Sequence, residues 1–297
     1  MRIARYFAAA LAGAMNVTGL CGVAQATELE PHEVVAVPPG TTVFLAYGLY
    51  GHHDKITPVS GPDLEDGTNL DLNLGIARLA HYFNVGDTLA LVEVLQPFGS
   101  LDHARVAGTR LRRSAGLGDT ILAAVAWPIN DAKRQRYLAF TVYLTVPTGK
   151  YDKNEPLNLG GNRMVYNPQL GLSQGIGKGW SVDVSADMIF YGANNDAGAG
   201  GTQRLTQAET VQIQAFLNHA WPGGVSTSIG YQGLRGGKQR LDGIDTGNRT
   251  NFNEVRFVAS KFLTPKFQLL GEVNHQFDAT GGFRQDFGFL MRALYVF

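Results

Sequence analysis

Apolar and polar residues alternate along most of the chain. Within 180–191 every even position is apolar, while the odd positions include Asp183 and Asp187. The segments 138–146 and 211–217 alternate in the same way. A period of two is typical of a β-strand with two different faces, and no segment shows the 3.6-residue period of an amphipathic helix. The pattern therefore predicts an all-β protein.

Twelve strands are predicted when the alternating segments are collected. Most contain 10 to 13 residues. Ordinary soluble strands average ~5–6 residues, whereas a tilted strand needs ~9–11 residues to cross a bilayer. The predicted strands are 41–50, 68–82, 87–97, 117–127, 136–147, 163–173, 180–191, 209–221, 225–234, 253–263, 266–277 and 285–297.

Long and short connections alternate between these strands. The gaps after the first, third, fifth, seventh and ninth strands hold 15 to 19 residues, and the gaps between them hold 2 to 8. The final gap, 278–284, is of intermediate length. Outer-membrane barrels have long external loops and short periplasmic turns. We therefore expect 41–297 to form a transmembrane antiparallel up-and-down β-barrel of about 12 strands.

The C-terminus and the tryptophans agree with this expectation. Apolar residues alternate from Phe287 to a terminal Phe297, which resembles the last-strand signature that the barrel-assembly machinery recognises. Trp127, Trp180 and Trp221 fall at the predicted periplasmic ends of strands, where an interfacial aromatic girdle is expected. The expected partners are the assembly machinery, outer-membrane lipid and lipopolysaccharide.

The first 26 residues have the features of a secretory signal peptide. Arg2 and Arg5 precede an apolar run over 7–15, and Ala24-Gln25-Ala26 supplies a small-x-small cleavage site. Nine apolar residues are too few to cross ~30 Å of hydrocarbon. We expect 1–26 to be cleaved, and 27–40 to remain as an N-terminal periplasmic segment or a plug of the lumen. The predicted location is the bacterial outer membrane.

Composition and charge narrow the function further. The 25 basic residues balance 25 acidic ones, so the chain lacks the basic surface that nucleic-acid binding requires. The only cysteine lies in the predicted signal peptide, which leaves the mature chain without a disulfide or a thiol nucleophile. With apolar residues facing lipid and polar residues facing the lumen, a mean hydropathy near zero agrees with a barrel.

Polar residues on the alternating strands are predicted to line the lumen and form the substrate pathway. Their charges of both signs either set a transverse field or form a satisfied network that stiffens the barrel. Arg78 and Lys261 break the pattern and are expected to extend to the membrane interface. The predicted lumenal residues are Asp71, Asn73, Glu93, Thr141, Tyr143, Asp183, Asp187, Gln212, Gln214, Asn218, Glu254, Arg256, Glu272, Asn274 and Arg292.

One motif suggests a family. The chain reads Leu-Thr-Val-Pro-Thr-Gly-Lys-Tyr-Asp over 144–152 and Asn-Leu-Gly-Gly-Asn-Arg over 158–163, followed by Tyr166, Pro168 and Leu170-Gly171. This pattern resembles a family of exported bacterial proteins named for the meta-pathway of phenol degradation, which includes a sphingosine-induced outer-membrane protein. The resemblance implies an outer-membrane barrel that takes up aromatic or other small hydrophobic compounds.

The motif spans the top of the fifth strand, its external loop and the top of the sixth strand. Proline and glycine end the strand, and the polar residues of the loop can tie it into a folded unit by charge-assisted hydrogen bonds. We hypothesise that this loop packs at or into the external mouth and gates it. The residues concerned are Pro147, Thr148, Gly149, Tyr151, Asp152, Asn162 and Arg163.

Other motifs give weaker indications. Residues 171–175 match the G-x-S-x-G nucleophile elbow around Ser173, but this elbow needs a strand-turn-helix context that is absent here. Neither the run 52–54, with two histidines and an aspartate, nor the acidic loop 152–155 is expected to hold a functional metal.

We therefore expect a non-enzymatic channel with no catalytic residues, cofactor or metal. Two alternatives stay open: an outer-membrane lipid or ester hydrolase that uses Ser173, and a closed structural or adhesive barrel.

Overall fold

The structure, a computed structural model, describes residues 28–198 and 200–297; the predicted signal peptide lies outside them. The described part of the chain contains eighteen strands and no helix long and apolar enough to span a membrane. The strands are β1 (Thr42–Thr57), β2 (Asn69–Val85), β3 (Thr88–Val106), β4 (Thr109–Arg110), β5 (Ser114–Leu117), β6 (Thr120–Asp131), β7 (Arg136–Val146), β8 (Val165–Gly177), β9 (Trp180–Tyr191), β10 (Asn194–Ala197), β11 (Gln203–Gln207), β12 (Thr210–Trp221), β13 (Val225–Arg235), β14 (Gln239–Leu241), β15 (Ile244–Asp245), β16 (Asn251–Thr264), β17 (Phe267–Thr280) and β18 (Gly282–Val296).

Twelve of these strands form a closed antiparallel barrel. Each pairs with its sequence neighbours among β1, β2, β3, β6, β7, β8, β9, β12, β13, β16, β17 and β18. The barrel closes where β1 pairs with β18, from Val43 opposite Val296 to Thr57 opposite Gly282. Closure leaves no unpaired strand edge in the membrane, where unpaired backbone groups are costly. The predicted fold class is confirmed.

The strands extend further on the external side than the pattern predicts. β3 continues to Val106, nine residues past its predicted end, and Gly281 alone joins β17 to β18 where 278–284 is predicted to be a loop. Above the membrane the outward face meets water instead of lipid, so apolar and polar residues no longer alternate in the same sense. The periplasmic turns contain only two to four residues.

Three external connections of the described chain contain short strands that the sequence pattern does not indicate. In the connection after β3, the strands β4 and β5 pair with β3 itself. β10, β11, β14 and β15 form a separate four-stranded sheet, which joins the connection after β9 to the connection after β13. β11 and β14 pair through Leu205 to Gln207 against Gln239 to Leu241. These strands have two to five residues, too few to show a clear alternation.

The outer and inner surfaces of the barrel differ in chemistry. Large apolar side chains such as Phe140, Ile213 and Phe257 are exposed around the outside. Polar and charged side chains are buried on the inner face of the same strands. This is the distribution expected of a barrel with lipid outside and a polar lumen.

Candidate functional site: the lumen and its external mouth

The N-terminal segment, residues 28–40, runs into the barrel and bonds to its inner wall. The backbone N–H of Leu29 donates to Gln214 Oε1 (3.1 Å), and that of His32 donates to Asp183 Oδ2 (2.8 Å). The gap between the segment and the wall near Val34 is a cavity of about 30 Å³. Such a space holds only about one or two water molecules. The segment therefore fills the lumen at this level.

Glu33 of the N-terminal segment bridges two lumenal arginines. Its two carboxylate oxygens accept from Arg78 Nη1 (3.0 Å) and Arg292 Nη1 (2.7 Å). Arg78 also donates through Nε to Glu93 Oε2 at 2.7 Å, and the Tyr47 hydroxyl donates to Glu33 at 3.3 Å. One glutamate of the segment thus joins three strands of the wall.

Glu30 forms a second anchor between the N-terminal segment and the barrel wall. Arg256 Nη2 lies 2.8 Å from both Glu30 Oε1 and Glu272 Oε2, and Arg256 Nη1 donates to the carbonyl of Leu29 at 3.1 Å. Arg256 is fully buried. Removing one partner from a buried ion pair leaves an uncompensated charge, which costs about 3–5 kcal/mol.

The shape of the barrel wall also accommodates the N-terminal segment. Gly171 of β8 faces Val34, and a β-carbon at this position would lie 2.9 Å from Val34 Cγ2. On the other side, the indole N–H of Trp127 donates to the Val34 carbonyl at 2.9 Å. A glycine in the family motif therefore makes room for the N-terminal segment.

The expected lumenal residues divide into two groups. Most are inside the barrel, and all but the partly buried Asn274 are fully buried there: Glu93, Thr141, Tyr143, Asp183, Asp187, Gln212, Gln214, Asn218, Glu254, Arg256, Glu272, Asn274 and Arg292. The prediction is wrong for Asp71 and Asn73, which lie on the outer face of β2. It is also wrong for Arg78, which points into the lumen instead of toward the membrane interface.

The reversal in β2 has a physical cause. Its external half projects above the lipid, so the inward face is the apolar one: Leu70, Leu72 and Leu74 pack in a cluster with Leu157 and other loop residues. The outward face meets water, where Asp71 accepts from His52 and His103 at 2.7 and 2.8 Å. Alternation alone does not reveal which face is inside once the strand leaves the membrane.

Trp127 also departs from expectation. Trp180 and Trp221 are exposed at periplasmic strand ends, as an interfacial girdle requires, but Trp127 is only 4% exposed and lies inside the barrel. Its hydrogen bond to Val34 explains the burial, because an indole N–H needs a partner away from water.

The motif loop, residues 147–164, docks on Asp119. The Asp119 carboxylate accepts from the backbone N–H of Gly149 (2.8 Å) and of Gly161 (2.7 Å). A β-carbon on Gly149 would lie 2.6 Å from the Gly118 carbonyl carbon, and one on Gly160 would lie 2.9 Å from the Gly149 carbonyl carbon. Burial raises the pKa of Asp119, and the two backbone bonds oppose this. Sequence reasoning missed Asp119; no signal within its own segment distinguishes it.

Polar motif residues connect this loop to the next external connection. The Tyr151 hydroxyl donates to the Asp196 carbonyl (2.8 Å), and Asn162 Nδ2 donates to Asn194 Oδ1 (2.9 Å). Asp152 bonds within its own loop, accepting from the Asn154 N–H.

The remaining motif residues lie where the strand gives way to the loop. Pro147 directly follows β7, and Thr148 Oγ1 accepts from the Thr120 N–H at 3.0 Å. Arg163 is buried and donates through Nη2 to Gln207 Oε1 at 2.6 Å.

The motifs that weakly suggest a nucleophile elbow or a metal site do not form such sites in the described chain. Ser173 is buried in the middle of β8 with its G-x-S-x-G neighbours in the same strand, so no strand-to-helix elbow exists there. Among the described residues, no group of three or more His, Cys, Asp or Glu side chains is placed to hold a metal ion.

A closed twelve-stranded sheet with a lipid-facing belt and a polar lumen defines the class of outer-membrane β-barrels. Residues 53–291 match the family described as "Putative MetA-pathway of phenol degradation", and the chain belongs to this family, as the motif indicates. It is similar to the COG4313 outer membrane channel from Pseudomonas putida F1, with 30% identity, a TM-score of 0.85, and coverage of 91% of this chain and 100% of that one. That solved relative is an outer-membrane channel.

A more distant likeness shows the fold alone. The transport unit of the autotransporter AIDA-I from Escherichia coli is 9% identical, with a TM-score of 0.50 and coverage of 97% of this chain and 96% of that one. None of the curated proteins compared with the chain matches it.

Proposed function

We propose that this outer-membrane channel takes up small hydrophobic or aromatic compounds, and that the N-terminal segment closes its lumen between transport events. The proposal rests on the occupied lumen: residues 29–34 bond to the inner wall, and a cavity beside Val34 has a volume of only about 30 Å³. A benzene ring is several times larger than a water molecule, so solute passage requires the segment to move.

The external mouth supports a hydrophobic substrate. The inward faces of β2 and β3 above the membrane carry Leu70, Leu72 and Leu101, which are buried against Leu157 of the motif loop. Movement of that loop exposes an apolar surface at the entrance, which favours apolar solutes. The polar wall then lies deeper, around the N-terminal segment.

The family description points in the same direction. It refers to phenol degradation, whose substrate is a small aromatic compound. In this proposal the motif loop gates the mouth, the signal peptide directs export, and the terminal strand ending in Phe297 is read by the assembly machinery. The surrounding partners are lipid and lipopolysaccharide.

Whole-cell uptake tests the proposal directly. A Gram-negative host that produces the protein, supplied with a radiolabelled hydrophobic aromatic compound, is expected to accumulate it faster than the same host with an empty vector. A hydrophilic sugar of similar size serves as the control solute and should show no such acceleration. Equal accumulation of the aromatic compound in both hosts contradicts the proposal.

A further inference from the structure

One buried arginine near the external mouth has no acidic partner. Arg256, Arg292 and Arg163 are the fully buried arginines of the described chain, with 0%, 4% and 3% of their surface exposed. The first two form ion pairs with glutamates of the N-terminal segment. Arg163 forms no salt bridge with any described residue. A buried unpaired charge is costly, so its presence calls for an explanation.

Two hydrogen-bonded side chains, Arg163 and Gln207, each keep a buried donor without a partner. Arg163 Nη2 donates to Gln207 Oε1 at 2.6 Å, while Arg163 Nη1 is buried without a partner. Since Arg163 can only donate, the Gln207 amide oxygen must face it, and Gln239 Nε2 bonds to the same oxygen at 3.3 Å. The Gln207 amide nitrogen is then also buried without a partner. Two unused N–H donors match the two oxygens of a carboxylate.

The nearest acidic group does not occupy these donors. Asp119 interacts electrostatically with Arg163, but its two oxygens are engaged by the Gly149 and Gly161 amides. Burial lowers the pKa of Arg163 to about 10, so the guanidinium remains charged at neutral pH. The site therefore keeps one positive charge that no protein carboxylate contacts directly.

Apolar groups lie next to the free donors. The Arg163 guanidinium stacks over the Tyr191 ring at 4.5 Å from its centroid. Tyr191 in turn packs against Val165 and Ile189, which are buried on the inner face of β8 and β9. An anionic head on Arg163 would thus have an apolar surface beside it for the rest of the molecule.

We propose that Arg163 and Gln207 form a receptor for the carboxylate of a small amphiphilic acid, such as an aromatic or short-chain carboxylic acid, beneath the external loops. This inference rests on the proposed function and names a substrate class within it. A single guanidinium matches a monoanion better than a multiply charged phosphate. The receptor lies at the upper end of the lumen, above the N-terminal segment.

Calorimetric titration of the purified protein in detergent tests this receptor. Benzoate is compared with benzamide, its neutral analogue of similar shape, and with inorganic phosphate. A charged hydrogen-bonded contact is expected to make benzoate bind at least about tenfold more tightly than benzamide. Arg163→Met should abolish this difference, and Gln207→Met should reduce it. Arg204→Met, in the same external sheet but exposed, is the matched control and should behave as wild type.

The outcomes separate the receptor from a structural role. If Arg163 only fastens the loops, Arg163→Met lowers the unfolding temperature but leaves the benzoate to benzamide ratio unchanged. Equal binding of benzoate and benzamide by the wild type, or tighter binding of phosphate, overturns the inference. Should Arg163→Met fail to fold, Gln207→Met and Arg163→Lys give the same test, and Arg163→Lys is expected to keep part of the preference because it keeps the charge.

Failure here is distinguishable from failure of the proposed function. Titration measures equilibrium binding without transport, while whole-cell uptake measures transport of neutral aromatic compounds. Uptake without a benzoate preference contradicts the receptor proposal and is consistent with the channel proposal. A benzoate preference without uptake removes the channel function and leaves the receptor.

Discussion

Glycines decide how the loops and the N-terminal segment approach the wall. At Gly149 and Gly171 a β-carbon would contact Gly118 or Val34 at 2.6 and 2.9 Å. Both lie in the family motif. The sequence predicts that Gly149 ends a strand. It does not reveal that Gly149 approaches Asp119, because Asp119 lies thirty positions earlier and outside the motif.

Gly149→Ala is expected to loosen the motif loop. The added methyl group meets backbone atoms that do not move easily, and over-packing of this kind costs about 1–3 kcal/mol. The mutant should show faster tryptic cleavage at Lys150 and Lys153. Gly271→Ala is the control, because a β-carbon there has nothing within 4 Å and cleavage should match wild type.

Glu33→Gln is expected to free the N-terminal segment. Arg78 keeps Glu93, but Arg292 loses its acidic partner, and breaking a buried pair costs about 3–5 kcal/mol. Amide hydrogen exchange over 28–37 should accelerate by about two orders of magnitude or more. Glu65→Gln is the charge-matched control, because Glu65 is ion-paired but exposed. Exchange over 28–37 should be unchanged in this variant. Unchanged exchange in Glu33→Gln means that this anchor does not hold the segment.

At the level of elements, long alternating strands were predictable and short external ones were not. All twelve barrel strands correspond to predicted strands, because lipid and lumen impose opposite polarity on alternate residues. β10, β11, β14 and β15 lack that constraint. The sequence did not distinguish a periplasmic segment from a plug for 27–40. Glu30 pairs with Arg256 and Glu33 with Arg292, and each partner is more than two hundred residues away along the chain.

Deleting residues 28–37 from the predicted mature chain is expected to open the lumen. The deleted protein should conduct ions in planar bilayers at several times the wild-type level, because water and ions can fill the vacated space. Gly171→Leu places a large side chain where Val34 packs. It should therefore displace the segment and raise conductance without a deletion. Conductance equal to wild type in both variants contradicts a closing role for the segment.

At the level of the whole molecule, closure joins the two ends of the barrel. β18 pairs with β1 along its length, and the Phe297 N–H donates to the Thr42 carbonyl at 3.0 Å. Phe297 is 66% exposed, and its ring contacts the Tyr295 ring edge-on at a centroid distance of 5.2 Å.

Phe297→Ala is expected to reduce assembly more than stability. We propose that the assembly machinery reads the terminal residue, and on that proposal the fraction of protein that reaches the outer membrane in a folded, heat-modifiable form should fall several-fold. Phe287→Ala, another outward aromatic residue of the same strand, is the control and should assemble nearly as well as wild type. Equal assembly of both variants argues against recognition through Phe297.

A reversible lock tests the central claim, which is that solutes pass through the lumen only when the N-terminal segment moves. A β-carbon on Gly171 would lie 3.8 Å from Val34 Cβ, a typical separation for a disulfide, and the predicted mature chain has no other cysteine. In cells producing the Val34→Cys, Gly171→Cys variant, aromatic uptake should stop on oxidation and return on reduction. Equal uptake by the oxidised and reduced protein contradicts the account.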